Sequence, residues 1–76
     1  MTPNKQTNNI AKKLGANVRT MRETRHMPQV YVALKAGLDR SYLGRIERGE
    51  VNVTLEKVYR LAETLGCNTE NLLKGI

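Results

Sequence analysis

The stretch QVYVALKAGLDRSYLGRI, residues 29–46, decides the fold. It reads as two short helices joined by a tight turn. Pro28 stands just before it, at a helix start, where a missing N–H costs nothing. Val32, Ala33 and Ala36 form the inner face of the first helix, and Gly37 supplies the left-handed residue that ends it. Asp39 is placed to cap the second helix through the N–H groups of Ser41 or Tyr42. Leu43 and Ile46 face inward from that helix, with Leu38 packing in the turn. Ala33 is small enough to let the two helices cross closely. Arg40, Ser41 and Arg45 are left on the outward side, which suits insertion into a DNA groove.

Outward from this unit, the apolar period continues in both directions. Upstream, Ile10, Leu14, Val18 and Met21 recur at helical spacing from Asn8 onward and predict a first helix ending near Arg25–His26. Gly15 weakens that helix by up to about 1 kcal/mol relative to Ala. Residues 1–7 are polar, contain Pro3, and are expected to form a flexible arm. The single domain is then 8–76. Downstream, Gly49 ends the third helix and residues 50–53 form a loop. Thr54 caps a fourth helix whose Leu55, Val58, Leu61, Ala62 and Leu65 make an apolar stripe. Gly66 stops it, and Thr69 caps a short fifth helix carrying Leu72 and Leu73. No β pattern of useful length is present. The chain therefore reads as all-α.

The chain has 76 residues, which suits one small domain, and lacks Trp and Phe, so the core must be aliphatic with Met, Ala and Tyr. Its formal net charge is +6. Residues 1–53 carry ten Lys and Arg against four Asp and Glu, whereas residues 54–76 balance Lys57, Arg60 and Lys74 against Glu56, Glu63 and Glu70. The whole excess sits with the two-helix unit. That favours a polyanionic partner, nucleic acid or an anionic membrane, over a merely solvated surface. A basic amphipathic membrane binder is disfavoured, because helices one and three need their apolar faces for the core.

Cys67 is alone, so no internal disulfide is possible, and a packing role is expected. His26 reads as a surface or capping residue. With one His and one Cys, a zinc site of the usual ligand set cannot be assembled. There is no Gly-rich phosphate loop and no Cys/His or Ser/His pair with an orienting group, so the chain does not read as an enzyme. No cofactor and no small-molecule ligand are read from it. No apolar run approaches a membrane span, and the N-terminus is too polar for a secretory signal; a cytosolic protein is expected. Arg19, Arg25 and Lys35 read as solvated, and Met21 and Met27 as core.

Residues 18–73 resemble the lambda-repressor/Cro-like helix-turn-helix family, also called the xenobiotic-response-element family. The segments that carry the resemblance are VRTMRETRHMPQ (18–29), VALKAGLDRSYLGRIERG (32–49) and NVTLEKVYRLAETLG (52–66). In so short a chain, LDRSYLGRIERGEVNVTL also resembles the controller proteins of restriction–modification systems. The resemblance implies a five-helix DNA-binding domain, bacterial or phage-encoded. It further implies a transcriptional regulator or repressor that acts as a homodimer on palindromic double-stranded DNA.

Carried over by position, Arg40, Ser41 and Arg45 face the bases, with Tyr42 beside them. Gln29, Arg48 and Asn52 contact phosphate. Arg22 and Glu47 form an internal salt bridge, and Arg22 has a phosphate contact as its other reading. Leu72, Leu73 and Ile76 are assigned to core or dimer contact, and as a group to the dimer interface.

Three features depart from the family pattern. His26 replaces the Gly that commonly closes helix one. Pro28 replaces a capping Ser or Thr. Val30, Tyr31 and Leu34 make helix two more apolar than usual, which motivates an alternative function: an antitoxin-like module that neutralises a partner protein and binds DNA secondarily.

Overall fold

The apolar period from Ile10 to Met21 does build a long first helix, α1, Lys5–Thr24. The computed structural model describes residues 5–76, with side chains from residue 9 onward. Of the arm expected over residues 1–7, residues 1–4 lie outside the described residues, and Lys5–Thr7 are already helical. Four more helices follow: α2, Gln29–Ala36; α3, Arg40–Glu47; α4, Leu55–Leu65; and α5, Thr69–Leu72. The described residues contain no strand.

One core holds the five helices together. Leu14 and Val18 of α1 meet Val32, Ala33 and Ala36 of α2, Leu43 and Ile46 of α3, Val58, Leu61, Ala62 and Leu65 of α4, and Leu72 of α5. Met21, Met27, Leu38, Tyr42 and Cys67 pack at its margin. Burial pushes the Cys67 thiol up from its ordinary pKa, which suits a packing residue rather than a nucleophile.

Two side chains expected inside are outside. Ile10 is 43% exposed, because the buried face of α1 runs through Ala11, Leu14, Gly15 and Val18, and a helix turns about 100° between neighbours. Leu55 is 80% exposed, because the first turn of α4 projects beyond the core that Val58 enters. Leu72 moves the other way. It is fully buried, so it belongs to the core and leaves the expected dimer surface. The C-terminal segment is tied down over α1: Asn17 Nδ2 donates to the carbonyls of Leu72 (2.8 Å) and Lys74 (2.9 Å). Lys13 Nζ donates to that of Gly75 (3.1 Å). Leu73 and Ile76 remain exposed.

The α1–α3 crossing is so close that it admits no side chain at Gly15. A Cβ there would lie 2.1 Å from the carbonyl oxygen of Ile46 and 2.8 Å from that of Glu47. Far from being only a weak spot in α1, Gly15 is the point where α3 seats.

The helix ends follow local chemistry. Gly37 takes φ 73° at the turn between α2 and α3. His26 takes φ 56°, the left-handed region where Gly is unstrained and a side chain is not. Thr54 accepts from Lys57 N (3.3 Å) as expected. The cap of α5 is Asn68 rather than Thr69. Asn68 Oδ1 accepts from Asn71 N, and Asn71 Oδ1 accepts from Asn68 N, both at 3.1 Å. That reciprocal pair satisfies two backbone donors, which a single Thr hydroxyl cannot do. Asp39 occupies the cap position of α3 but makes no capping hydrogen bond. It is exposed, so water can serve the free N–H groups at that helix start.

Candidate nucleic-acid interface

Helix α3 has one face that the core consumes and one that it leaves free. Leu43 and Ile46 are at most 1% exposed, which fixes the rotation of the helix. Arg40, Ser41, Arg45 and Arg48 are all exposed on the opposite side. Tyr42 lies between the faces, half-buried, with Lys57 Nζ 4.9 Å from its ring centroid. It is thus a flank of the outward face rather than part of its centre.

A chain of polar contacts locks this face to α1 and α2. Arg22 of α1 donates to Glu47 through Nε (2.7 Å to Oε2) and Nη2 (3.1 Å to Oε1). Its third nitrogen, Nη1, donates to the carbonyl of Met27 (2.9 Å). The expected Arg22–Glu47 bridge is present, and it leaves Arg22 turned inward rather than toward phosphate. Glu47 is buried, and the hydrogen bond to it raises the Arg22 pKa above its ordinary value, against the opposing effect of burial. The fork geometry matters here, because a buried carboxylate must be satisfied by several donors.

Gln29 extends the chain. Its Nε2 donates to Glu47 Oε1 (2.9 Å), and its Oε1 accepts from Arg40 Nη1 (3.3 Å). The sequence reading assigns Gln29 to phosphate, yet its amide is engaged at both ends within the protein. It links the buried pair to the first arginine of α3. Neither end of that link was legible from spacing, because 18 residues separate Gln29 from Glu47 and 11 separate it from Arg40.

Past α3, Asn52 is exposed in the loop before α4. Arg48, at the C-terminal end of α3, is also exposed. Its guanidinium folds back over Gly44, and Glu50 holds it through Nε to Oε2 (2.7 Å) and Nη2 to Oε1 (3.4 Å). Arg45 Nε lies 3.9 Å from Glu50 Oε1. The hydrogen bond from Arg48 is the main reason the Glu50 carboxyl sits below the usual carboxylate range. Sequence reasoning placed Glu50 only in a loop. The signal available was an acidic residue directly after a helix-ending glycine, beside two arginines.

On α2, Val30 (61%), Tyr31 (44%) and Leu34 (76%) are exposed, so the apolar side chains that depart from the family pattern do not serve the core. No group of His, Cys, Asp or Glu that would hold a metal ion occurs among the described residues, and no described helix is long and apolar enough to cross a membrane.

Comparison with known proteins agrees with this geometry. Residues 18–72 match the model of the helix-turn-helix family. The control protein C.BamHI of Bacillus amyloliquefaciens is 37% identical over 88% of this chain and 84% of its own length. The control protein C.SmaI of Serratia marcescens is 40% identical over 79% of this chain and 71% of its own. Among solved structures, the restriction–modification controller protein C.AhdI of Aeromonas hydrophila superposes with a TM-score of 0.79 at 37% identity. That match covers 82% of this chain and 94% of the other.

The chain belongs to the lambda-repressor/Cro-like helix-turn-helix family, and is a DNA-binding transcriptional regulator. Within that family its relatives include restriction–modification control proteins.

Proposed function

We propose that the protein is a controller-type regulator that binds a palindromic operator as a homodimer, each copy laying α3 in the major groove. The observation that carries this reading is the two-sided character of α3: an apolar face sunk in the core, and Arg40, Ser41 and Arg45 exposed opposite it. Arginine pairs bidentately with guanine O6 and N7, and each such pair contributes about 1–3 kcal/mol of base discrimination. Ser41 near the helix start contacts a base edge or phosphate, and Tyr42 touches the flank. The second N–H of Gln29 Nε2, the first being given to Glu47, and the Asn52 amide contact phosphate at the rim. Such a regulator works in the bacterial cytosol, where its DNA is.

An eight-residue helix reads only part of a site, so a second copy supplies the other half. Leu73 and Ile76 are exposed apolar side chains available for that contact. Leu55 and Tyr59, a turn apart on α4 and also exposed, join them as candidates that spacing alone had not offered.

Selection of bound fragments from random DNA, at two salt concentrations, tests this. A two-fold symmetric motif is expected, with half-sites about one helical turn apart. Arg40→Ala should relax preference at one position in each half-site. An asymmetric single motif would remove the dimer from the reading, and unchanged preference in Arg40→Ala would remove α3 from the groove.

The exposed Val30, Tyr31 and Leu34 favour a second reading, an antitoxin-like module with a protein partner on α2. A small partner protein that co-purifies from native extracts, and is lost on Leu34→Glu, is the result it requires.

A further inference from the structure

Gly44 lies midway along α3, on the Gln29 side of its outward face. Arg40 lies one turn before it, Arg48 one turn after it, and Ser41 and Arg45 beside it. The packing does not require a glycine there. A Cβ would meet only side-chain ends: Nη1 of Arg48 at 3.2 Å, Nε2 of Gln29 at 3.9 Å and Cζ of Arg48 at 4.0 Å. Gly44 is nevertheless buried, because the Arg48 side chain lies across it. Helical side chains lean toward the N-terminus, so an arginine at the end of α3 is aimed at the preceding turn. The gap at Gly44 lets its guanidinium settle midway along α3 instead of at its end.

Glu50 then sets the orientation of that guanidinium. Nε and Nη2 donate to the two carboxylate oxygens, at 2.7 and 3.4 Å, which occupies one edge of the fork. A guanidinium has five N–H donors, so the Nη1/Nη2 edge keeps two parallel donors free. Two parallel donors are what guanine O6 and N7 accept in the major groove. The pair is exposed, with Arg48 at 58% and Glu50 at 48%, so its contribution to stability is small and its effect is to orient. A phosphate contact would need neither the gap nor the carboxylate.

We propose that Arg48 reads a guanine rather than a phosphate, with Gly44 as the gap that admits it and Glu50 as its positioning residue. This rests on the DNA-binding reading above. Arg48 thereby joins Arg40, Ser41 and Arg45 as a determinant of sequence, and Glu50 acts on specificity without touching DNA.

The test is selection from random duplexes with the full chain, wild type and two variants, followed by titration of the selected duplex and of a random-sequence duplex at several salt concentrations. Arg48→Lys keeps the charge and loses the fork. It should lose about tenfold discrimination for guanine at one base pair per half-site, with the salt slope on the random duplex unchanged. Glu50→Gln should weaken preference at that same base pair while tightening binding to the random duplex. Both residues are exposed, and an unchanged thermal midpoint confirms that each variant folds.

Preference intact at every position in Arg48→Lys would overturn the proposal and return Arg48 to phosphate. A uniform change across all sequences in Glu50→Gln would overturn the positioning role. A wild-type chain that selects no sequence would overturn the DNA reading beneath both, a result distinct from either variant's failure.

Discussion

Gly15 and Gly44 are both buried glycines inside helices, and the sequence presents them alike. They sit in opposite surroundings. At Gly15 the neighbours are the backbone carbonyls of Ile46 and Glu47, which cannot move without displacing α3. At Gly44 the neighbours are the ends of Arg48 and Gln29, which can swing away. The contrast separates the two regions of α3. Its inner side is set by backbone contact and a buried ion pair. Its outer side is an arrangement of flexible polar chains, held in place by one another and available to a ligand. A helix glycine of the first kind serves the fold, and one of the second kind serves what the helix meets.

The contrast can be broken most severely at Gly15. Gly15→Ala should destabilise the domain by more than about 3 kcal/mol, read as the shift of the denaturant midpoint at constant slope, because backbone rather than side chain must yield. Glu47→Ala should follow at about 3 kcal/mol, since it leaves the Arg22 guanidinium and the Gln29 amide without their acceptor in a half-buried site. If thermal melting shows either change to be neutral, the inner side is not the rigid one.

At His26 the expected sign reverses. His26→Gly should stabilise by about 1 kcal/mol by relieving a positive φ, measured the same way. The smallest effect on stability is expected on the outer side. Gly44→Ala should change it by less than about 1 kcal/mol, with helix propensity favouring alanine and displacement of Arg48 opposing it. A loss as large as that of Gly15→Ala would erase the distinction between the two glycines.

The sequence exposed one of these sides far better than the other. Leu43, Ile46, Val58, Leu61 and Leu65 announced their burial through spacing, because a helical period is local and survives any choice of neighbour. The Arg22–Glu47 bridge, 25 residues apart, was legible only through family resemblance. Ile10, Leu55 and Leu72 were misplaced for a common reason. Leu55 and Leu72 lie at the ends of their helices and Ile10 in the second turn of α1, and at all three periodicity says which face a residue is on but not whether a neighbouring helix reaches that far. Asp39 and Thr69 mark a second limit. A residue with capping chemistry near a helix start is easy to find, yet whether it caps depends on a side-chain rotamer or on a better neighbour such as Asn68.

By itself the sequence determined the number and order of the helices, the turn at Gly37, the basic outward residues of α3 and their helix-turn-helix setting. These follow from local steric preference and short-range periodicity, which do not depend on distant parts of the chain. Only the tertiary structure decided that Gly15 is a seat for α3 and that Leu72 is core. It likewise linked Gln29 to both Glu47 and Arg40, and turned Arg48 back over Gly44 under the hold of Glu50. Those depend on how close two helices come and on which polar groups meet once they do. Such distances are fixed by the packing of the whole core, not by any one segment of it.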